Sequence, residues 1–172
     1  MTKVIVVIAE KNFQDVEYGD TRKALEKAGI IVRTASKTHG IKKGVFGEEV
    51  EVDFSFKEVY ADDFEAIVFI GGGGAQKYIN DGEATELARD FFDAGKITAA
   101  ICIGPLILAS SGILKGKKAT VWDDGEGTQI KMLEGAKAEF VDEDVVLDGN
   151  IITANGPNAA KAFGKAIAEA LR

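Results

Sequence analysis

Short apolar runs recur along the chain and alternate with longer segments in which apolar residues follow helical spacing. Runs that are rich in β-branched residues and polar on neither face are typical of strands buried on both sides of a sheet. This pattern predicts four buried strands, at Val4–Ile8, Ile30–Ala35, Ala66–Ile70 and Ile97–Ile101.

The segments between and after these strands predict helices. Gly29 and Gly95 follow two of them in the position of a C-cap, and Pro105 suits the first turn of a third. The predicted helices are Val16–Ala28, Ala84–Ala94, Pro105–Ser111 and Asn158–Leu171. Buried strands that alternate with amphipathic helices predict one α/β domain over residues 1–172, with a mainly parallel sheet and helices on both faces.

Two further segments have strand character. Residues Val45–Phe56 alternate between apolar and polar positions, which predicts an antiparallel addition to the sheet. Residues Val145–Ile152 contain an Asp-Gly pair between two apolar runs, which predicts a hairpin.

Composition and charge narrow the function classes. Hydrophobic residues make up 46% and charged residues 28%, which is typical of a globular protein. A net charge of −7 argues against nucleic-acid and anionic-membrane partners, and no apolar stretch is long enough for a bilayer span. The single cysteine fits a reducing compartment, so we expect a cytoplasmic protein.

Cofactor and metal motifs are missing from the sequence. The glycine run Gly71–Gly74 does not satisfy a dinucleotide fingerprint, and there is no phosphate-binding loop signature. One cysteine and one histidine, His39, do not make a metal ligand set. We therefore expect neither a cofactor nor a metal. His39 lies in a polar loop, where a role as catalytic base is a minor alternative to simple exposure.

The only cysteine, Cys102, lies where a buried strand passes directly into a helix. This is the context of a nucleophile elbow, and a thiol at a helix start is expected to have a lowered pKa. A buried structural cysteine is the alternative. The glycine run after Ile70 offers backbone amides that, together with the amide of Ile103, can form an oxyanion hole. A flexible turn is the plainer interpretation of the same glycines.

The chain resembles the ThiJ/PfpI superfamily over its full length, and more distantly the class I glutamine amidotransferases. The superfamily includes the Parkinsonism-associated protein deglycase and intracellular proteases. Ordered segments carry the resemblance: Phe13–Glu17, Gly71–Gly73, Ala100–Pro105, Gly112–Thr120 and Asp148–Thr153.

The resemblance implies a flavodoxin-like three-layer sandwich and a homodimer or higher homo-oligomer. It implies Cys102 as nucleophile, the amides of Gly73 and Ile103 as oxyanion donors, and glyoxalase, deglycase or weak amidase or peptidase chemistry. The substrate would be a small carbonyl compound or a peptide.

The sequence departs from the family pattern at four positions. Ile103 stands where protease-like members have His, and Gln14 where the family usually places a Glu beside the cysteine. Lys77 replaces an acidic residue after the glycine turn, and Trp122 replaces a His or Tyr. The thiol is therefore expected to lack its usual base.

Four acidic residues are candidate substitutes for that base: Asp15, Glu17, Asp123 and Asp124. Glu17 lies about one helical turn from Gln14, so the two side chains can share a face. Three functions stay open: a thiol enzyme acting on reactive carbonyls, a redox-responsive stress protein in which Cys102 is oxidised, and a pseudoenzyme in which Cys102 is structural.

Overall fold

A seven-stranded sheet forms the centre of the protein in the computed structural model, which describes all 172 residues. The strands are β1 (Lys3–Val7), β2 (Lys11–Phe13), β3 (Ile31–Ser36), β4 (Ile41–Gly44), β5 (Glu49–Glu51), β6 (Phe54–Ser55), β7 (Ala66–Phe69), β8 (Ile97–Ile101), β9 (Lys118–Ala119), β10 (Glu139–Phe140), β11 (Val145–Asp148) and β12 (Ile151–Ala154). The helices are α1 (Asp15–Lys27), α2 (Gly82–Asp93), α3 (Pro105–Ser111), α4 (Thr128–Gly135) and α5 (Ala160–Ala170).

The strand order of the central sheet is β11-β12-β8-β7-β1-β3-β6, and only β11 runs antiparallel to its neighbour. The predicted mainly parallel sheet and the Asp-Gly hairpin are confirmed. The four predicted buried strands, the hairpin and the four predicted helices end within two residues of the observed ones. Because β1, β7 and β8 are adjacent and parallel, the loops that follow them meet at one edge of the sheet.

The core lies on both faces of the central strands. Every residue of β7 is buried, as is every residue of β1 after Lys3, so these strands read as continuous apolar runs. On one face, α1 packs against α5, and Gly164 allows this close approach. A Cβ at Gly164 would lie 2.7 Å from the Cβ of Ala24.

The prediction for Val45–Phe56 is wrong in its placement. Strand β5 is antiparallel, but it pairs with β4 in a separate three-stranded sheet with β2. Strand β6 joins the central sheet in parallel with β3. Alternation indicates a strand with one buried face, but it does not identify the partner strand. Helix α4 and the short β9–β10 pair were not predicted.

No helix of the protein is long and apolar enough to cross a membrane.

Candidate active site

Cys102 occupies a sharp turn between β8 and α3. Its φ angle is +65°, a left-handed conformation that is rare for residues other than glycine. The turn is held on both sides, because the amide of Cys102 donates to the carbonyl of Ala154 at 2.9 Å and the amide of Trp122 donates to the carbonyl of Cys102 at 3.0 Å. This backbone is that of a nucleophile elbow.

A buried carboxyl stands beside this thiol. Glu17 lies in the first turn of α1 and is fully buried. Its Oε1 accepts a hydrogen bond from the amide of Gly71 at 2.9 Å, and its carboxyl interacts with the Cys102 thiol. Its Oε2 is buried with no hydrogen-bond partner of good geometry. The position of Gly71 requires glycine, since a Cβ there would lie 2.5 Å from the Cβ of Cys102.

Burial raises the pKa of Glu17 to about 7, and the hydrogen bonds from Gly71 and Cys102 offset only part of this effect. A carboxyl that titrates near neutral pH can both accept and donate a proton there. The pair of Glu17 and Cys102 is therefore a candidate proton-transfer unit, in which one of the four acidic candidates named from the sequence stands beside the thiol.

Burial and the charge of the Glu17 carboxylate raise the pKa of the Cys102 thiol to about 12. The expectation of a lowered thiol pKa at the start of α3 is therefore wrong. The sulfur is neutral at rest and needs a base when it attacks. Cys102 is only 7% exposed, so access to the sulfur is restricted to small or extended groups.

The backbone amides of Gly72 and Ile103 lower the pKa of the Cys102 thiol, because both lie close enough to the sulfur to favour its charged form. Gly73, the predicted oxyanion donor, follows Gly72 in the same loop and is exposed, and its role stays a prediction. Gly72 has a φ angle of +102°, and a Cβ there would lie 2.5 Å from the carbonyl oxygen of Asn12. The chain can present this amide to the sulfur only with glycine at 72.

Gln14 starts α1 and contacts the glycine run. Its side chain is the N-cap of α1 and accepts a hydrogen bond from the amide of Glu17 at 2.8 Å. Its own amide donates to the carbonyl of Gly71 at 2.9 Å. Gln14 thus joins the first turn of α1 to the glycine run, and the carboxyl beside the cysteine is that of Glu17.

The other acidic candidates support loops. The carboxylate of Asp15 accepts the amides of Phe46 and Glu48, both at 2.9 Å, and so anchors the turn between β4 and β5. Asp123 accepts four amides at the start of α4, from Gly125, Gly127, Gln129 and Ile130. Asp124 accepts the amide of Glu126 at 2.8 Å. These hydrogen bonds give each carboxylate a structural role, so Asp123 is not assigned to the proton-transfer unit.

Two candidate residues named from the sequence remain, Trp122 and His39. Trp122 is 40% exposed and adjoins the elbow through the hydrogen bond that its backbone amide donates to the carbonyl of Cys102. His39 is exposed and its Nε2 contacts the carboxyl of Glu58. The minor alternative of His39 as the base is therefore not supported. No group of three side chains that could hold a metal ion is present.

Comparison with known proteins gives consistent matches. Residues 2–170 match the DJ-1/PfpI family. The chain is 35% identical over 168 residues to deglycase PfpI of Pyrococcus furiosus, covering 98% of this chain and 99% of that protein. The ThiJ/PfpI domain protein of Brachyspira murdochii matches with a TM-score of 0.93 and 35% identity, covering 98% of this chain and 95% of that one. DJ-1beta of Drosophila melanogaster matches with a TM-score of 0.88 and 32% identity, covering 99% and 91%. The flavodoxin-like fold implied by the resemblance is confirmed.

Proposed function

Because this chain belongs to the DJ-1/PfpI family, we propose that it is a cysteine-dependent enzyme that acts on small reactive carbonyl compounds, with deglycase- or glyoxalase-like chemistry. One observation carries the proposal. The only cysteine stands on a strained elbow next to a buried carboxyl whose pKa is about 7. Such a carboxyl is suited to move protons at neutral pH.

The first step is attack of sulfur on an aldehyde carbon. The Glu17 carboxylate takes the thiol proton as the carbon–sulfur bond forms, which avoids a free thiolate in a site that disfavours it. Negative charge develops on the aldehyde oxygen. The amides of Gly72 and Ile103 already interact with the sulfur, so they are near enough to stabilise that oxygen.

The remaining steps conserve atoms and electrons for an α-oxoaldehyde. Glu17 returns its proton to the hemithioacetal oxygen and then moves the proton of the former aldehyde carbon to the neighbouring ketone carbon, while the hemithioacetal hydroxyl proton passes to the ketone oxygen. The first carbon is oxidised to a thioester and the second is reduced to an alcohol, so no external oxidant is needed. Water hydrolyses the thioester, the thiol is restored, and the net change is addition of one water to give a 2-hydroxy acid.

Peptide hydrolysis is supported less well. The side chain of Ile103, next to the nucleophile, cannot protonate a leaving amine, so Glu17 would have to supply that proton as well. The Cys102 thiol is also nearly closed off, which suits a small aldehyde better than a folded peptide segment.

The test compares the wild-type protein with Cys102→Ser on methylglyoxal and on a fluorogenic peptide. The proposal expects methylglyoxal to be converted to lactate by the wild type only, with little cleavage of the peptide. Equal conversion by both proteins would refute a role for Cys102. Mass spectrometry under native conditions confirms that the serine variant has the same assembly as the wild type.

A redox-responsive protein of the reducing cytoplasm is the second candidate. Two equivalents of peroxide convert a thiol to a sulfinic acid and release two waters. The amides that interact with sulfur, together with a protonated Glu17, are suited to hold sulfinate oxygens. Absence of methylglyoxal turnover, with a clean gain of two oxygens on Cys102 after mild peroxide, would favour this candidate over the enzyme.

The assembly we propose is a homodimer that uses the turn between β4 and β5. Val16, Val45 and Phe46 are exposed, by 41%, 51% and 73%, and Asp15 ties this turn to the start of α1. Apolar exposure beside a site is typical of an interface. Light scattering at micromolar concentration tests this proposal, with a dimer expected for the wild type and a shift to monomer for Phe46→Glu. A monomeric wild type would contradict it.

A further inference from the structure

A cavity adjoins the glycine run that follows β7. It has a volume of about 260 Å³, which is enough for a small metabolite. It lies at the carboxyl edge of β1 and β7, next to the elbow that follows β8. Its lining residues are Glu10, Lys11, Asn12, Gly73, Gly74, Lys77 and Tyr78.

The cavity has an excess of positive charge. Neither Lys11 nor Lys77 forms an ion pair or a side-chain hydrogen bond, although Arg22, Lys37 and Lys42 of this acidic chain each form an ion pair. Glu10 is already neutralised by the nearly buried ammonium of Lys42, at 2.8 Å, and it also accepts hydrogen bonds from Thr38 and Ser36. Two lysines that have no ion-pair partner therefore line one small cavity.

The cavity and the thiol are connected through a single loop. Gly72 presents its amide to the sulfur of Cys102, and Gly73 and Gly74 line the cavity directly after it. Consecutive Cα atoms are about 3.8 Å apart, so the cavity wall begins within a few ångströms of the oxyanion position. Asn12, which also lines the cavity, is held close to this loop, because its carbonyl oxygen packs against Gly72. A site of this kind needs little reorganisation on binding.

From this arrangement we infer that Lys11 and Lys77 form an anion subsite, and that the preferred substrate is an α-oxoaldehyde with a carboxylate at its other end. The inference rests on the proposed carbonyl chemistry at Cys102. The aldehyde carbon lies at the sulfur while the carboxylate extends past Gly73 into the cavity and lies between the two ammonium groups. Neutral α-oxoaldehydes react at the same thiol but leave the subsite unused. Lys11 and Lys77 are thus specificity-determining residues.

The kinetic test uses two substrates of equal length, carboxyethylglyoxal and its neutral counterpart propylglyoxal. In the wild type kcat/KM is expected to be about tenfold higher for the anion, and this preference falls with added salt. Lys77→Gln and Lys11→Gln are expected to lower kcat/KM for the anion by about tenfold and to leave the neutral compound within about twofold. Lys115→Gln, at an exposed lysine beyond α3, is the matched control and changes neither value.

A binding measurement separates this inference from the proposed function. Levulinate and methyl propyl ketone, both unreactive, are titrated into the wild type and into Lys77→Gln while amide NMR shifts are followed. Tighter binding of levulinate, weakened about tenfold by Lys77→Gln, supports the subsite even if neither glyoxal is turned over. Turnover of both glyoxals at equal kcat/KM, or equal binding of levulinate and the ketone, overturns the subsite and leaves the carbonyl chemistry intact.

Discussion

Replacing Glu17 with glutamine removes one proton-binding site from the core and leaves its shape almost unchanged. The amide oxygen of glutamine still accepts the hydrogen bond that Gly71 donates to Glu17. Burial raises the pKa of Glu17 from 4.5 to about 7. Each pKa unit corresponds to about 1.4 kcal/mol, so ionised Glu17 costs the native state about 3 kcal/mol relative to the unfolded chain.

The sign follows from proton binding. Below pH 4.5 the carboxyl is protonated in both states and costs nothing. As the pH rises towards about 7 the unfolded chain releases this proton first, so the free energy of unfolding falls. Above about 7 both states are ionised and the loss is complete. Relative to the wild type, Glu17→Gln is therefore expected to gain stability between pH 4 and pH 8. The difference in free energy of unfolding between the two proteins should be about 3 kcal/mol larger at pH 8 than at pH 4.

Urea denaturation at a series of pH values, at one protein concentration, measures this difference. Urea is uncharged, so it leaves ionic screening unchanged. Glu143→Gln, at an exposed carboxyl without side-chain hydrogen bonds, is the matched control and should follow the wild-type curve. A stability difference between Glu17→Gln and the wild type that does not change from pH 4 to pH 8 would refute the raised pKa, and with it the argument that Glu17 moves protons near neutrality.

Three further predictions concern the scaffold of the site. Gly71→Ala is expected to fold but to lose at least about 100-fold in turnover, because its Cβ would displace Cys102; a circular dichroism spectrum like that of the wild type with full activity would contradict this. Gly164→Ala is expected to lower the free energy of unfolding by about 1–3 kcal/mol through overpacking against Ala24, as measured by urea titration; an unchanged midpoint would show that α1 and α5 separate at no cost. Asp15→Ala should accelerate hydrogen exchange at the amides of Phe46 and Glu48, while protection equal to the wild type would show that other contacts hold this turn.

The sequence predicted the central strands and helices well because the hydrophobic pattern that indicates each one lies within a single short segment. Continuous β-branched runs identified β1, β7 and β8, and their adjacency in a parallel sheet brought the glycine run and Cys102 to one edge. The elbow itself followed from a cysteine between a strand and a proline-initiated helix. The placement of β4 and β5 depended on Asp15 and on contacts distant in sequence, which alternation alone cannot convey.

The carboxyl beside the thiol was harder to identify. Glu17 was one of four acidic candidates, because a charged residue in the first turn of a helix usually faces solvent and stabilises the helix dipole. The burial of Glu17 depends on where α1 begins. Gln14 is the N-cap, and this start determines which residue of the first turn faces the glycine run. A signal was nevertheless present. With Gln14 as the N-cap of α1, the segment Phe13–Glu17, which resembles the superfamily, contains one glutamate. This residue, Glu17, lies at the third helical position.

The thiol pKa was mispredicted for a related reason. The start of α3 and the amide of Ile103 favour a thiolate, and both are visible in the sequence. Burial of Cys102 and the charge of the Glu17 carboxylate disfavour the thiolate, and they outweigh the effect of the helix start and the amide. Whether a helix start or burial dominates depends on side-chain packing from three separate segments of the chain, so the balance could not be read from the elbow alone.

The central claim is that the Glu17 carboxylate is the base for Cys102, and the pH profile of kcat/KM for methylglyoxal tests it most directly. The account predicts a wild-type kcat/KM that rises with pH through an inflection at about 7, where Glu17 loses its proton. Glu17→Gln should lack this inflection and lie about 10²–10⁴-fold lower on the plateau. An inflection near 7 that persists in Glu17→Gln with wild-type activity would contradict the claim.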